Sequence, residues 1–101
     1  MEPIKRFTNS VQEGNLWIYI LALAKEIEIK EEDVKGLIFE KFGFFPNSLM
    51  IKAVLFRLKN EGYVSRERFA SKKAYKTTQK GIEQLEKMQS ICSETIEKLY
   101  S

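Results

Sequence analysis

The residues best equipped for chemistry in this chain are its lysines and arginines, and they are unevenly placed. Asn47 to Lys80 holds nine of them (Lys52, Arg57, Lys59, Arg66, Arg68, Lys72, Lys73, Lys76 and Lys80), opposed only by Glu61 and Glu67. That stretch therefore carries +7, whereas residues 1–51 and 81–101 each carry −2. Positive charge concentrated in this way is the electrostatic footprint of a surface that meets a polyanion, nucleic acid above all. Other chemistries lack their residues. The chain has no histidine, which removes the commonest general base and metal ligand, and its single cysteine, Cys92, can form neither an intramolecular disulfide nor a cysteine-based metal site. No glycine-rich loop is present to cradle a phosphate. The expectation is a binding protein without enzymatic activity, metal or cofactor.

Those charges need elements to hold them, and the same stretch supplies the pattern. Asn47 or Ser48 can cap a helix whose buried stripe is Ile51, Val54, Leu55 and Leu58, closed by Gly62. Two strand-like runs follow, Tyr63–Arg68 and Lys73–Thr77, joined around Phe69–Lys72. A helix followed by a basic hairpin is the order of a recognition helix and its wing. Upstream, Val34, Leu37, Ile38 and Phe42 form the stripe of another helix, stopped by Gly43 and kept from resuming by Pro46. Two helices joined by so short a turn make a helix-turn-helix. The acids Glu31, Glu32 and Asp33 precede that helix, where its dipole favours negative charge.

The first core helix is expected from Val11 or Leu16 to Glu26, entered through a Ser10–Glu13 capping box or through Asn15. Its run Leu16–Ala24 is nine apolar residues long, enough for a central buried helix and about half of what spans a bilayer. Ile27–Ile29 alternates as a short strand able to pair with the wing. Residues 1–10, with Pro3 and Asn9, read as an irregular N-terminal arm, residues 11–80 as a winged-helix DNA-binding domain, and 81–101 as a C-terminal dimerisation helix. That last helix carries Ile82, Leu85, Met88, Cys92, Ile96 and Leu99 at coiled-coil-like spacing. A seam so short needs a partner surface, either the chain's own first helix or a second copy. Trp17, Leu85, Met88, Cys92, Ile96 and Leu99 are the candidates for a homodimer contact, and burial is the expectation for Cys92. With no secretion signal and no membrane segment in view, the expected setting is cytoplasmic.

LKNEGYV (Leu58–Val64) followed by AYKTTQKG (Ala74–Gly81) resembles the winged-helix domain of PadR-like transcriptional regulators; MarR-like proteins and small archaeal winged-helix dimers share the features less closely. In the PadR-like pattern a Leu-x-x-x-Gly-Leu/Ile segment precedes a wing ending Tyr-x-Leu-Thr-x-x-Gly. This chain supplies Leu58 and Gly62, then Tyr75, Thr78 and Gly81 at the matching spacing. It departs at Thr77, where leucine is usual, at Lys52, where tyrosine is frequent, and in lacking a His-Gly-Tyr motif in the second helix. The replacement at Thr77 implies a weakened core contact at the strand end. The resemblance, over residues 14 to 100, implies a homodimeric transcription regulator. Some relatives bind small aromatic effectors, and no motif here specifies one.

The expected fold is mainly α (α+β), a winged helix-turn-helix with a two-stranded wing and a long C-terminal helix. The expected activity is sequence-specific binding of double-stranded DNA and regulation of transcription. Ser48, Lys52 and Lys59 on the recognition helix, and Arg66, Arg68, Lys72, Lys73 and Lys76 on the wing, are the candidate DNA contacts. The outermost face of the helix, Leu49, Ala53, Phe56 and Asn60, offers few side chains able to hydrogen-bond base edges. Three readings fit it: a helix rotated so that Phe56 packs on another element, readout through shape and backbone charge, or a winged helix serving as a protein-interaction module through Leu49 and Phe56.

Overall fold

The apolar run at Leu16–Ala24 becomes the centre of the molecule. In a computed structural model describing residues 2–101, one helix spans Leu16–Glu26 (α2, following the helix α1 described below) and buries Leu16, Ile20, Leu21 and Ala24. Asn15 occupies its N-cap position, but its side chain works otherwise. The amide donates to the Ser10 carbonyl at 2.6 Å, and its oxygen accepts from the Trp17 indole at 3.3 Å. Around α2 pack α3 (Val34–Phe42), α4 (Ser48–Asn60), a three-stranded sheet and α5 (Gln79–Tyr100). The core joins Leu16, Ile20 and Leu21 to Ile38 from α3, Ile51, Leu55 and Leu58 from α4, and Val64 and Tyr75 from the sheet.

The helix-turn-helix forms as its punctuation predicts. Gly43 ends α3 with φ +81°, a left-handed conformation that glycine adopts without a Cβ clash. Pro46 is fully buried beneath the turn. Asn47, not Ser48, caps α4, its side-chain oxygen accepting from the backbone N–H groups of Leu49 at 2.8 Å and Met50 at 3.2 Å. The acidic triplet forms a 3-10 turn, Glu31–Asp33, that leads into α3. Tyr19 holds the far side of the turn, with edge-on contacts to Phe42 and Phe44 at ring separations of 4.8 and 5.1 Å.

The wing strands are β2 (Val64–Phe69) and β3 (Lys72–Thr77), paired antiparallel from Val64↔Thr77 to Phe69↔Lys72. The short strand β1 lies at Ile29–Lys30, two residues later than the alternation at Ile27 suggests, and pairs with the other edge of β3. Strand order is β1-β3-β2, so the wing is anchored to the domain through β3.

One expectation fails at the N-terminus. Pro3–Val11 is a helix, α1, rather than an irregular arm; Met1 lies outside the described residues. Pro3 sits in its first turn, where a missing N–H has no partner to lose and the fixed φ suits a helix. Ile4, Phe7 and Val11 then fall on one face. The supposed Ser10–Glu13 capping box lies where α1 ends, so Ser10 caps nothing.

The resemblance motif explains itself as a packed junction. Gly62, at φ +84°, reverses the chain after α4. The Thr78 hydroxyl donates to the Gly62 carbonyl at 2.7 Å and accepts from the Gly81 N–H at 3.2 Å, which caps α5. The Thr78 N–H donates to the Tyr63 carbonyl at 3.1 Å. A Cβ on Gly81 would collide with that same carbonyl oxygen and lie 2.7 Å from Thr77 Cγ2. Thr77 is buried, and its hydroxyl donates to the Leu21 carbonyl at 2.8 Å. The polar replacement thus exchanges an apolar contact for a buried hydrogen bond between strand and central helix.

Candidate nucleic-acid interface

The wing is a hairpin with a two-residue turn, Ala70–Ser71, and Ala70 takes a left-handed φ of +57°. Alternation places Val64, Arg66 and Arg68 on one face of β2, opposite Thr77, Tyr75 and Lys73 on β3. Val64, Tyr75 and Thr77 are buried, so this is the face that turns toward the domain, and its outer end is basic. Arg68 lies directly across from Lys73. Like charges directly opposed across a ladder are destabilising unless an anion lies between or beside them.

Lys73 also lines a cleft of about 400 Å³ between the wing tip, the start of α4 and the turn before α3. Its walls bring together four of the eight predicted contacts, Ser48, Lys52, Lys72 and Lys73, with Lys30 and Lys35. Lys35 donates to the Ser48 hydroxyl at 3.3 Å. Lys72 is paired with both carboxylate oxygens of Glu32, at 2.8 and 3.1 Å. That contact holds the Glu32 carboxyl below the usual carboxylate range and raises the Lys72 ammonium above its own. Beside it, the Tyr75 hydroxyl donates to Glu31 at 2.9 Å. Burial first, and then the Glu31 carboxylate, push the Tyr75 phenol upward, while the neighbouring Arg66 guanidinium pulls the other way. The acids at the entrance to α3 are thus more than a dipole complement: they tether the wing.

The other predicted contacts lie elsewhere. Lys76 donates to the Glu26 carbonyl at 3.0 Å, so it serves the C-terminal end of α2. Lys59 is half-buried farther along α4, outside the cleft. Arg66 is half-buried beside Tyr75, and Arg68 is exposed toward the tip. Lys80, part of the basic stretch, donates to the Glu61 carbonyl at 2.7 Å and lies 4.7 Å from the centre of the Tyr63 ring. It neutralises the C-terminal end of α4.

Lys30 and Lys35 escaped sequence reading. They stand within a segment dominated by Glu28, Glu31, Glu32 and Asp33, whose sum hides them. In the folded chain Glu31 and Glu32 line the same cleft, but Tyr75 and Lys72 engage them, which leaves Lys30 and Lys35 without a carboxylate partner.

On the outer face of α4, Leu49 is 76% exposed and Phe56 63%. Phe56 therefore does not pack on another element, which removes the rotated-helix reading. Two further exposed aromatic rings, Phe39 on α3 and Phe45 in the turn, stack in parallel with centres 4.0 Å apart.

At the opposite end, the residues predicted for self-association divide. Leu85 and Met88 are half-buried, as is Ile82 ahead of them on the seam, and Leu85 packs on the core of its own domain. Beyond them the row is bare: Cys92 is exposed, its thiol 3.7 Å from the Met88 sulfur, and Ile96 and Leu99 are 58% and 71% exposed. Within one protomer Cys92 is thus not the buried residue that its place on the seam suggests. Trp17 is half-buried, lining a second cleft of about 350 Å³ with Met50, Val54, Arg57 and Gln84. No helix among the described residues is long and apolar enough to cross a membrane.

No family model and no curated protein matches the chain. Solved structures do. A transcriptional regulator from Clostridium thermocellum superposes with a TM-score of 0.79 at 18% identity, over 89% of this chain and 91% of that one. A PadR family transcriptional regulator from Eggerthella lenta gives 0.77 at 16% identity, over 95% and 84%. PadR of Bacillus subtilis, in complex with operator DNA, gives 0.65 at 23% identity, over 73% of this chain and 46% of that one. The fold is that of the PadR-like winged helix, including its long C-terminal helix.

Proposed function

We propose that the protein is a sequence-specific, double-stranded DNA-binding regulator of transcription that works as a homodimer in the cytoplasm. The observation that carries the reading is the cleft, where Ser48, Lys52, Lys72 and Lys73 converge although they come from elements about twenty residues apart. Lysines gathered around one opening, together with an Arg68–Lys73 pair opposed across the wing, form an arrangement that a phosphate backbone would relieve. The Bacillus subtilis PadR complex supports it by fold, since that protein was captured on its operator.

In this reading α4 lies along the major groove with Ser48 and Lys52 near its entry, and the wing tip reaches backbone phosphate through Lys72, Lys73 and Arg68. Arg66, Lys59 and Lys76 contribute field rather than direct contacts. Leu49 and Ala53 face thymine methyl groups, so sequence preference rests on shape and apolar contact more than on hydrogen bonds to bases. Two-fold pairing through the bare half of α5 would set two such heads on one side of the duplex.

Titrating salt against duplex affinity tests this. Each lysine–phosphate contact contributes close to one unit of salt slope, so Lys52→Ala/Lys73→Ala should flatten the slope by about 2 and weaken all sequences alike. Absence of salt-dependent affinity in the unaltered protein would reject the reading. One observation favours a second reading, a protein-docking winged helix: Leu49 and Phe56 on α4 and the stacked Phe39 and Phe45 are all exposed large apolar side chains. Leu49→Ser/Phe56→Ser distinguishes them, since it should leave the salt slope intact if DNA is the ligand.

A further inference from the structure

Five lysines line the cleft, Lys30, Lys35, Lys52, Lys72 and Lys73, against two acids, Glu31 and Glu32. Their engagements are unequal. Glu31 is occupied by the Tyr75 hydroxyl, and Lys35 meets only a neutral partner, Ser48. Lys30, Lys52 and Lys73 make no side-chain hydrogen bond or ion pair among the described residues. Lys72 alone is fully matched, reaching both oxygens of Glu32.

A carboxylate presents an ammonium with two anionic oxygens, much as a phosphate does. Both side chains of the pair are more than half exposed, at 56% and 53%. An exposed pair of this kind adds little to stability and exchanges partners readily. The contact also joins residues 40 positions apart, wing tip to the entrance of α3, so it sets where the tip rests.

We infer that the cleft is a binding site for a single phosphate group, and that Glu32 stands in that phosphate's place by holding Lys72 until one arrives. The native occupant, on the DNA reading above, is a backbone phosphate; a free phosphorylated solute would use the same chemistry. On entry the phosphate takes Lys72 from Glu32 and shares its charge with Lys52 and Lys73, which have no other counterion. Glu32 is then a built-in competitor that lowers affinity for phosphate and, once released, takes up a cation that offsets the one Lys72 displaces from the duplex.

Glu32→Gln removes the competitor and preserves its shape. Duplex affinity near 0.1 M salt should rise roughly three- to tenfold, and the salt slope should steepen by up to about one unit because no freed carboxylate is left to take up a cation. Glu67→Gln is the control. It makes the same charge change on the wing, across from Ala74 on the sheet face that also carries Lys72, and has no ion pair among the described residues. It should leave the slope unchanged. Lys72→Ala should cost more affinity in the Glu32→Gln background than in the unaltered protein. If Glu32→Gln binds no better, or Glu67→Gln gains equally, the competitor role is overturned while the DNA reading stands. Titration with inorganic phosphate, followed by phosphorus NMR, provides the second arm. Tighter phosphate binding by Glu32→Gln without any duplex binding would keep the site and assign it to a free phosphorylated solute. If neither phosphate nor duplex binds, site and DNA reading fall together.

Discussion

Gly81 shows how narrowly single atoms are specified here. A Cβ at that position collides with the Tyr63 carbonyl oxygen, which is fixed backbone and cannot swing aside. Gly81→Ala should therefore destabilise the domain by about 1–3 kcal/mol or more, as overpacking does, read as a lowered midpoint in urea with an unchanged slope. Thr77 offers the opposite case, a polar group justified by one bond. Thr77→Val preserves shape but deletes the donor to the Leu21 carbonyl, and should cost about 1 kcal/mol by the same measurement. Tyr75 adds a pH signature. Burial and Glu31 raise its phenol above the ordinary value near 10. Between those two values the unfolded chain releases a proton that the native chain keeps, so stability falls as pH rises past about 10. Tyr19, raised by burial, contributes in the same direction. Thermal melts from pH 9 to 11 should show the decline, and Tyr75→Phe should make it shallower.

Among the elements, legibility followed the range over which each one is determined. Gly43, Asn47 and Gly62 could be read directly because a left-handed turn or a helix cap is satisfied within four residues. The stripes of α3 and α4 and the six-pair hairpin are periodic, and periodicity survives without tertiary knowledge. α1 was not legible in the same way. Pro3 and Asn9 suggest irregular chain, and the face formed by Ile4 and Phe7 has nothing to bury against within one protomer. The cleft was half legible: Ser48, Lys52, Lys72 and Lys73 stand out by charge, whereas Lys30 and Lys35 are masked by adjacent acids. The bonds that shape it, Glu32 to Lys72 and Glu31 to Tyr75, span 40 and 44 residues and leave no local trace. At this scale Asn47→Ala is the informative change. Loss of two capped N–H groups should remove about 1 kcal/mol of stability.

At the scale of the whole molecule, the protein is 52 Å in its longest dimension and only 21 Å in its shortest. α5 has 22 residues, half of them committed to its own domain and half bare. A homodimer through that bare half predicts that Ile96→Asp/Leu99→Asp yields monomers by sedimentation and weakens duplex binding without lowering the melting temperature of the single domain. The junction at Thr78 gives this arrangement a further property. Because Gly62, Tyr63, Thr78 and Gly81 fasten the base of the wing to the first turn of α5, helix and wing turn as one body. In the proposed homodimer α5 would act as a ruler whose angular phase, rather than its length alone, sets where the two winged-helix heads point. One alanine inserted between Gln89 and Ser90 would twist the pairing surface by about 100° against the wing while lengthening the molecule by only about 1.5 Å. Such a protein should still pair, and its two heads should no longer fit the same side of a duplex.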